Sequence, residues 1–220
     1  MKPLLVLAAF PVVLMGWASC SHSGTGHAAL PDPRAVDKSV PEYKNPFHPS
    51  TYAHFVARKD YRKTYDVYKD DTLLNRQPKK SRKIFVCLDE QRGQYLVDGL
   101  VAMDFPLSSG VKAYPTKTGD YAVISKKEDH ASNLYGKMYD AEGKCINYNA
   151  ESTDPIPEGG RFDGSPMPYW QRLTNAGLGL HVGKVRRHPV SHGCVRLPRN
   201  VAEILYRQTS IGTPVTIQKT

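Results

Sequence analysis

From residue 82 onward the apolar residues of this chain come in short runs, each closed by a turn former before a helix could be completed. Residues 83–89 (KIFVCLD), 94–99 (QYLVDG) and 100–110 (LVAMDFPLSSG) follow one another almost without linkers, and 120–125 (DYAVIS) comes after Pro115 and Gly119. That texture predicts a meander of antiparallel strands. Only residues 197–209 (LPRNVAEILYRQT) carry helical spacing. There Pro198 suits the first turn, Val201, Ile204, Leu205 and Gln208 share one side, and Gly212 ends the helix. Residues 213–218 (TPVTIQ) then make a closing strand. The pattern predicts a mainly β domain over 82–219, a mixed β-sandwich or barrel with one or two short helices.

The rest of the chain is organised around that domain. A length of 220 residues accommodates one domain plus extensions, and 40% hydrophobic with 23% charged residues excludes a disordered chain. A single apolar run, at the very start, excludes a polytopic membrane protein. Met1 and Lys2 before PLLVLAAFPVVLMGWA predict an export signal over 1–20. Residues 21–45, rich in Ser, Gly, His, Pro and Asp, are expected to be a flexible tether. Residues 46–81 form an N-terminal extension, partly helical, in which Phe55, Val56, Tyr61, Tyr65, Tyr68 and Leu73 make one ragged face docked on the main domain. The net charge of +9 favours nucleic acid, anionic lipid or anionic wall polymer. Export excludes nucleic acid as the expected partner. With Cys20 set aside, Cys87, Cys145 and Cys194 are an odd number of thiols, and a Cys87–Cys145 bridge stays open.

Two segments carry chemistry. In 177–183 (GLGLHVG) a period of two puts Leu178, Leu180 and Val182 toward a core and leaves His181 alone on a face of glycines. Such a face lets a ligand approach the backbone. Downstream, Ser191-His192-Gly193-Cys194 sets a thiol two residues from an imidazole. An imidazole that takes the thiol proton gives a reactive thiolate, so Cys194 is expected to titrate low. Gly193 leaves backbone N–H groups free to face an oxyanion. A zinc set drawn from His181, His188, His192 and Cys194 is the lesser alternative, because structural zinc sites use paired cysteines. No metal or cofactor is expected.

SHGCVR, preceded by His181 in a GLGLH strand, resembles the signature of the L,D-transpeptidase (YkuD-type) cell-wall enzymes. YPTKTGDYAV resembles a further strand of that family, and MPYWQRL resembles an aromatic loop of one of its branches. The resemblance covers about 82–219. It implies a YkuD-like fold and a nucleophile, Cys194, that attacks the third residue of a peptidoglycan stem tetrapeptide. D-alanine leaves, and an amine resolves the thioester into a 3→3 cross-link. It implies His181 as general base, and His192, Gly193 and the Cys194 amide at the oxyanion. Substrate contacts would come from Ser191, which also orients an imidazole, from Arg196, and from Tyr169, Trp170 and Arg172 in a covering loop. It also implies that carbapenems acylate Cys194. Ala18-Ser19-Cys20 resembles the end of a bacterial lipoprotein signal, with Trp17 where leucine is usual. That resemblance implies lipidation of Cys20 as a membrane anchor and an outer-membrane lipoprotein. Ordinary signal cleavage, leaving the protein in the periplasm or cell envelope, stays open.

The partners implied are stem peptides and wall polymer. Water in place of the amine would make the protein an L,D-carboxypeptidase or a hydrolase that trims cross-links or releases attached proteins. Loss of the chemistry would leave a wall-binding protein.

Overall fold

The structure, a computed structural model, describes residues 31–77 and 81–219. The expected export signal, with Cys20, lies outside the described residues. The described chain begins with α1 (Tyr52–Ala57), β1 (Tyr68–Lys69) and α2 (Asp71–Asn75). There follow β2 (Arg82–Cys87), β3 (Arg92–Val97), β4 (Leu100–Pro106), β5 (Gly119–Ala122) and β6 (Ser125–Lys127). Next come β7 (Ala131–Tyr139), β8 (Cys145–Glu151), β9 (Arg161–Pro166), β10 (Trp170–Arg172) and β11 (Gly179–Val182). The chain closes with β12 (Val195–Leu197), α3 (Arg199–Gln208) and β13 (Pro214–Gln218).

The meander is present where the turn chemistry demanded it. Asp98 and Gly99 form the two-residue link between β3 and β4, with φ 51 and 80. Two positive φ values give the hairpin turn whose twist matches its strands. The main sheet runs β1-β4-β3-β2-β13-β5, and a second runs β12-β11-β10-β6. Two pairings are parallel, β13 with β2 and β11 with β12, so the arrangement is mixed and not a plain meander. Residues 120–125 are not one strand. The chain changes sheets between β5 and β6, handing over through Val123 N–H to Thr213 O and Ile124 N–H to Arg172 O. The core lies where the two sheets and α3 meet: Ile84, Val86, Tyr95, Phe105, Val215 and Ile217 face Leu180, Val195, Leu197, Val201 and Leu205. Each such aliphatic side chain contributes about 1.5–3 kcal/mol by leaving water.

A third sheet, β8-β7-β9, was not marked by apolar patterning. Most of β8, and β7 up to Tyr135, is exposed or half-buried, so the alternation that betrays a half-buried strand is missing there.

The extension docks as expected, but through two short helices and a strand. Thr51 and Asp70 cap α1 and α2 by accepting the N–H groups of His54 and Leu73. Phe55, Val56 and Tyr61 form a small buried cluster, while Tyr65 is 59% exposed. The described part of the expected tether has no helix or strand but is fastened along α1. Lys38 Nζ donates to Val56 O (2.6 Å), Tyr43 Oη to Ala57 O (2.8 Å) and Asn45 Nδ2 to His54 O (2.8 Å). Beneath the extension lies a buried ion pair, Arg92 Nε to Asp104 Oδ1 at 2.6 Å, with side chains 2% and 0% exposed. The hydroxyls of Tyr52 and Tyr61 donate to the other Asp104 oxygen, each at 2.8 Å. This carboxylate is therefore fully partnered, as a buried charge must be.

Candidate active site

Parallel strands need a crossover that returns the chain to the same end of the sheet. Between β11 and β12 that crossover is residues 183–194, which contain the S-H-G-C turn. Leu180 is in register with Val195 and His181 with Arg196, which places Cys194 beside Gly179. Leu180 and Val195 point into the core, so His181 and Cys194 share the opposite face. Strand spacing and rise put diagonal neighbours of this kind about 8 Å apart at Cα. Both line one groove of about 890 Å³.

His181 is 6% exposed, and its Nδ1 lies 2.7 Å from Val182 O. A carbonyl only accepts, so Nδ1 carries the proton and Nε2 is left with its lone pair. Burial pushes the imidazole pKa down to about 4 against the opposing pull of that hydrogen bond, with Arg196 and His130 adding to the drop. The ring is a neutral base at pH 7.

Cys194 differs from expectation. Burial pushes its thiol up, outweighing the Gly179 amide and the Arg196 charge, which favour the thiolate. Its Sγ donates to Gly177 O at 3.3 Å. The resting pair is therefore neutral thiol and neutral imidazole, so the thiol would have to lose its proton to serve as a nucleophile. Among the described residues no disulfide joins Cys87, Cys145 or Cys194 to one another.

The turn is held from below. Thr116 Oγ1 accepts from Gly110 N–H (2.8 Å) and donates to Gly193 O (2.6 Å). In a trans peptide the next N–H points the opposite way, so Thr116 aims the Cys194 N–H away from itself. Among the described residues the N–H groups of His192 and Cys194 have no acceptor, whereas Gly193 N–H donates to Ser191 Oγ at 3.1 Å. Ser191 Oγ in turn donates to Cys194 O at 2.5 Å. The serine thus closes its own turn and orients no imidazole.

The other expected residues divide. Arg172, Trp170 and Arg196 line the groove, as do His192 and Gly193. Trp170 is only 2% exposed, and its ring lies 5.1 Å from His130 and 6.0 Å from His181. It is a wall rather than a covering loop. Tyr169 does not line the groove; it packs edge-on against Tyr206 of α3 at 5.6 Å. The bare glycine face is covered at two positions but open at Gly177, where a Cβ would meet nothing within 4 Å: a Cβ at Gly179 would lie 2.4 Å from Trp170 Cη2, and one at Gly183 would lie 2.8 Å from the Arg196 stem. Those glycines make room for side chains of the protein itself. Among the described residues no group of His, Cys, Asp and Glu is arranged to hold a metal ion.

Sequence patterning missed three contributors. Ser108, Ser109 and Gly110 form a ledge under the turn. Ser109 O accepts from Val190 and Ser191 N–H (2.8 and 3.0 Å), and Ser108 exchanges two backbone hydrogen bonds with Arg196. Tyr135 of β7 stacks on His192 at 4.3 Å, with Tyr114 at 4.9 Å from the same ring. Lys117 and Lys184 join Arg172 and Arg196 in a lining whose acidic member is Glu151. The small-residue run after β4 was a visible signal; nothing in the sequence paired Tyr135 with His192.

A buried neutral imidazole on β11 and a thiol just before β12, beside amides that lack an acceptor among the described residues, in a basic groove, equip a protein for acyl transfer from an anionic substrate. The chain belongs to the L,D-transpeptidase catalytic-domain (YkuD) family, which it matches over residues 81–217. It is 31% identical over 121 residues to a probable L,D-transpeptidase 3 of Mycobacterium tuberculosis, spanning 52% of this chain and 38% of that relative. Among solved structures, L,D-transpeptidase 3 from Mycobacterium tuberculosis is similar with TM-score 0.47 and 24% identity, covering 63% of this chain and 61% of that one. An L,D-transpeptidase from Stackebrandtia nassauensis gives TM-score 0.48 and 21% identity over 76% of this chain and 66% of that one.

Proposed function

We propose that this protein is a peptidoglycan L,D-transpeptidase working through a Cys194 acyl-enzyme. The observation that carries the proposal is His181 on β11 and Cys194 immediately before β12, lining one groove. As the Cys194 sulfur attacks the carbonyl of the third stem residue, His181 Nε2 takes the thiol proton. The His192 and Cys194 amides receive the oxyanion. The C–N bond then breaks, His181 returns the proton to the departing D-alanine amine, and a thioester remains. The side-chain amine of a second stem attacks it, its proton passes to His181, and the sulfur leaves to recover that proton. One amide is exchanged for another, so no ATP is required. Arg196, joined by Arg172, Lys117 and Lys184, would hold stem carboxylates. Export by residues 1–20, anchoring through Cys20, and work in the periplasm or envelope complete the proposal; a net charge of +9 suits an anionic wall.

The test is incubation of the protein with disaccharide tetrapeptide, read by mass spectrometry. Cross-linked dimers with loss of D-alanine are expected, and Cys194→Ala should give none. Tripeptide alone would replace the transferase with a hydrolase, and unchanged tetrapeptide would remove the enzymatic account.

A further inference from the structure

The family match begins at residue 81, yet residues before it grip the loop that joins His181 to Cys194. Arg187 Nη1 donates to Thr64 O at 3.0 Å, and Nη2 donates to Glu90 O at 2.9 Å. Next to it, the Tyr65 hydroxyl donates to Arg186 O at 3.2 Å. On its other side the loop is fixed to the ledge, through Arg186 N–H to Ser108 Oγ (2.8 Å) and Val190 N–H to Ser109 O (2.8 Å). The crossover is thus clamped between the N-terminal segment and the main sheet.

The clamp is anchored in the core. Thr64 O also accepts from Arg92 Nη1 at 3.2 Å, and Arg92 is locked by Asp104, Tyr52 and Tyr61 through the buried ion pair. Two guanidinium groups meet at one carbonyl. Such an arrangement is unfavourable without the nearby Asp104 charge, and burial and Arg92 both weaken Arg187's hold on its proton. Arg187 has φ 55, a conformation that L side chains keep only when their surroundings impose it. Its buried Nε has no hydrogen-bond partner among the described residues. These features mark a residue held in place by both its neighbours.

We propose that Arg187 is a positioning residue for the His181–Cys194 pair, and that residues 61–66 belong to the catalytic unit through it. The proposal rests on Cys194 being the nucleophile. The loop has residues 183–190 between the base strand and the turn, so slack there passes directly into the placement of the sulfur. Misplacement of reacting groups by about 1 Å costs on the order of a hundredfold in rate.

The test uses the full chain and the saturable acylation of Cys194 by a carbapenem, followed by intact mass across pH. Arg187→Ala is expected to lower the limiting acylation rate roughly ten- to a hundredfold, with half-saturation changed less than about threefold. Measurements are made where circular dichroism shows the variant folded, so a merely structural role would lower the melting temperature and leave that rate intact. Arg187→Lys keeps charge and bulk but cannot span two carbonyls, so it should stay at least about fivefold below wild type. If the alanine variant does not fold, the lysine variant decides. A folded variant within about twofold of wild type overturns the proposal. Wild-type protein that is not acylated overturns the nucleophile itself, and this proposal with it.

Discussion

Acid should uncouple His181 from the fold before it affects most other groups. The free imidazole titrates at 6.5, and burial lowers this to about 4 in the folded chain. Between those values the unfolded chain binds a proton that the folded chain refuses, so stability falls as pH falls and levels off below 4. At about 1.4 kcal/mol per tenfold change in proton affinity, the drop is worth about 3 kcal/mol. Urea unfolding of wild type and His181→Gln at pH 7 and pH 4 isolates it. The glutamine variant lacks this titration, so wild type should lose about 3 kcal/mol more than the variant does across that range. Parallel stability curves for the two proteins would refute the buried neutral imidazole. Carbapenem acylation should follow the same group: the rate holds through pH 6.5 and declines only near pH 4, because the base stays unprotonated down to there.

Other perturbations reach the scaffold around the pair. Thr116→Val removes the hydroxyl that serves Gly110 N–H and Gly193 O, and should cost about 1–3 kcal/mol in urea unfolding while slowing acylation. Gly110→Ala would place a Cβ 2.1 Å from Tyr114 O and 2.8 Å from Gly193 Cα, both backbone, and should lose about 3 kcal/mol by the same measurement. Arg92→Met leaves Asp104 buried without its cation and is expected to cost about 3–5 kcal/mol, read from chemical denaturation at pH 7.

What the sequence revealed followed from local rules. Turn formers closing short apolar runs marked the meander, because turn demands are local; the structure places one such turn at Asp98-Gly99. The period of two in GLGLHVG separated Leu180 from His181, and Pro198 marked the start of α3. The failures have a common cause: they depend on partners far along the chain. The glycines at 179 and 183 looked like an approach for substrate, and only Trp170 and the Arg196 stem explain them. Ser191 seemed free to orient an imidazole until its own turn occupied both sides of its hydroxyl. Tyr169 and Trp170 are adjacent in sequence, but Tyr169 sits in the turn before β10 with φ 54 and packs on α3, while Trp170 opens the strand and lines the groove.

The expected low titration of Cys194 failed for a reason that bears on mechanism. An imidazole lowers a thiol pKa only if it is itself charged, and His181 is too buried to hold a proton at rest. The two groups therefore cannot form a standing ion pair. In the proposed reaction, charge separation is deferred to the moment of attack, when an oxyanion, a thioester sulfur and an imidazolium develop together. The environment suits that moment: amides without an acceptor among the described residues sit at the turn, and cations line the groove. Arg196 disfavours a lone imidazolium but favours a sulfur anion, and a stem carboxylate drawn to it would offset the first effect without removing the amides. The substrate would then supply part of the electrostatic balance that the groove's own residues do not. An uncharged amide too short to reach Arg196 should then be a poor acyl donor even where it fits the groove.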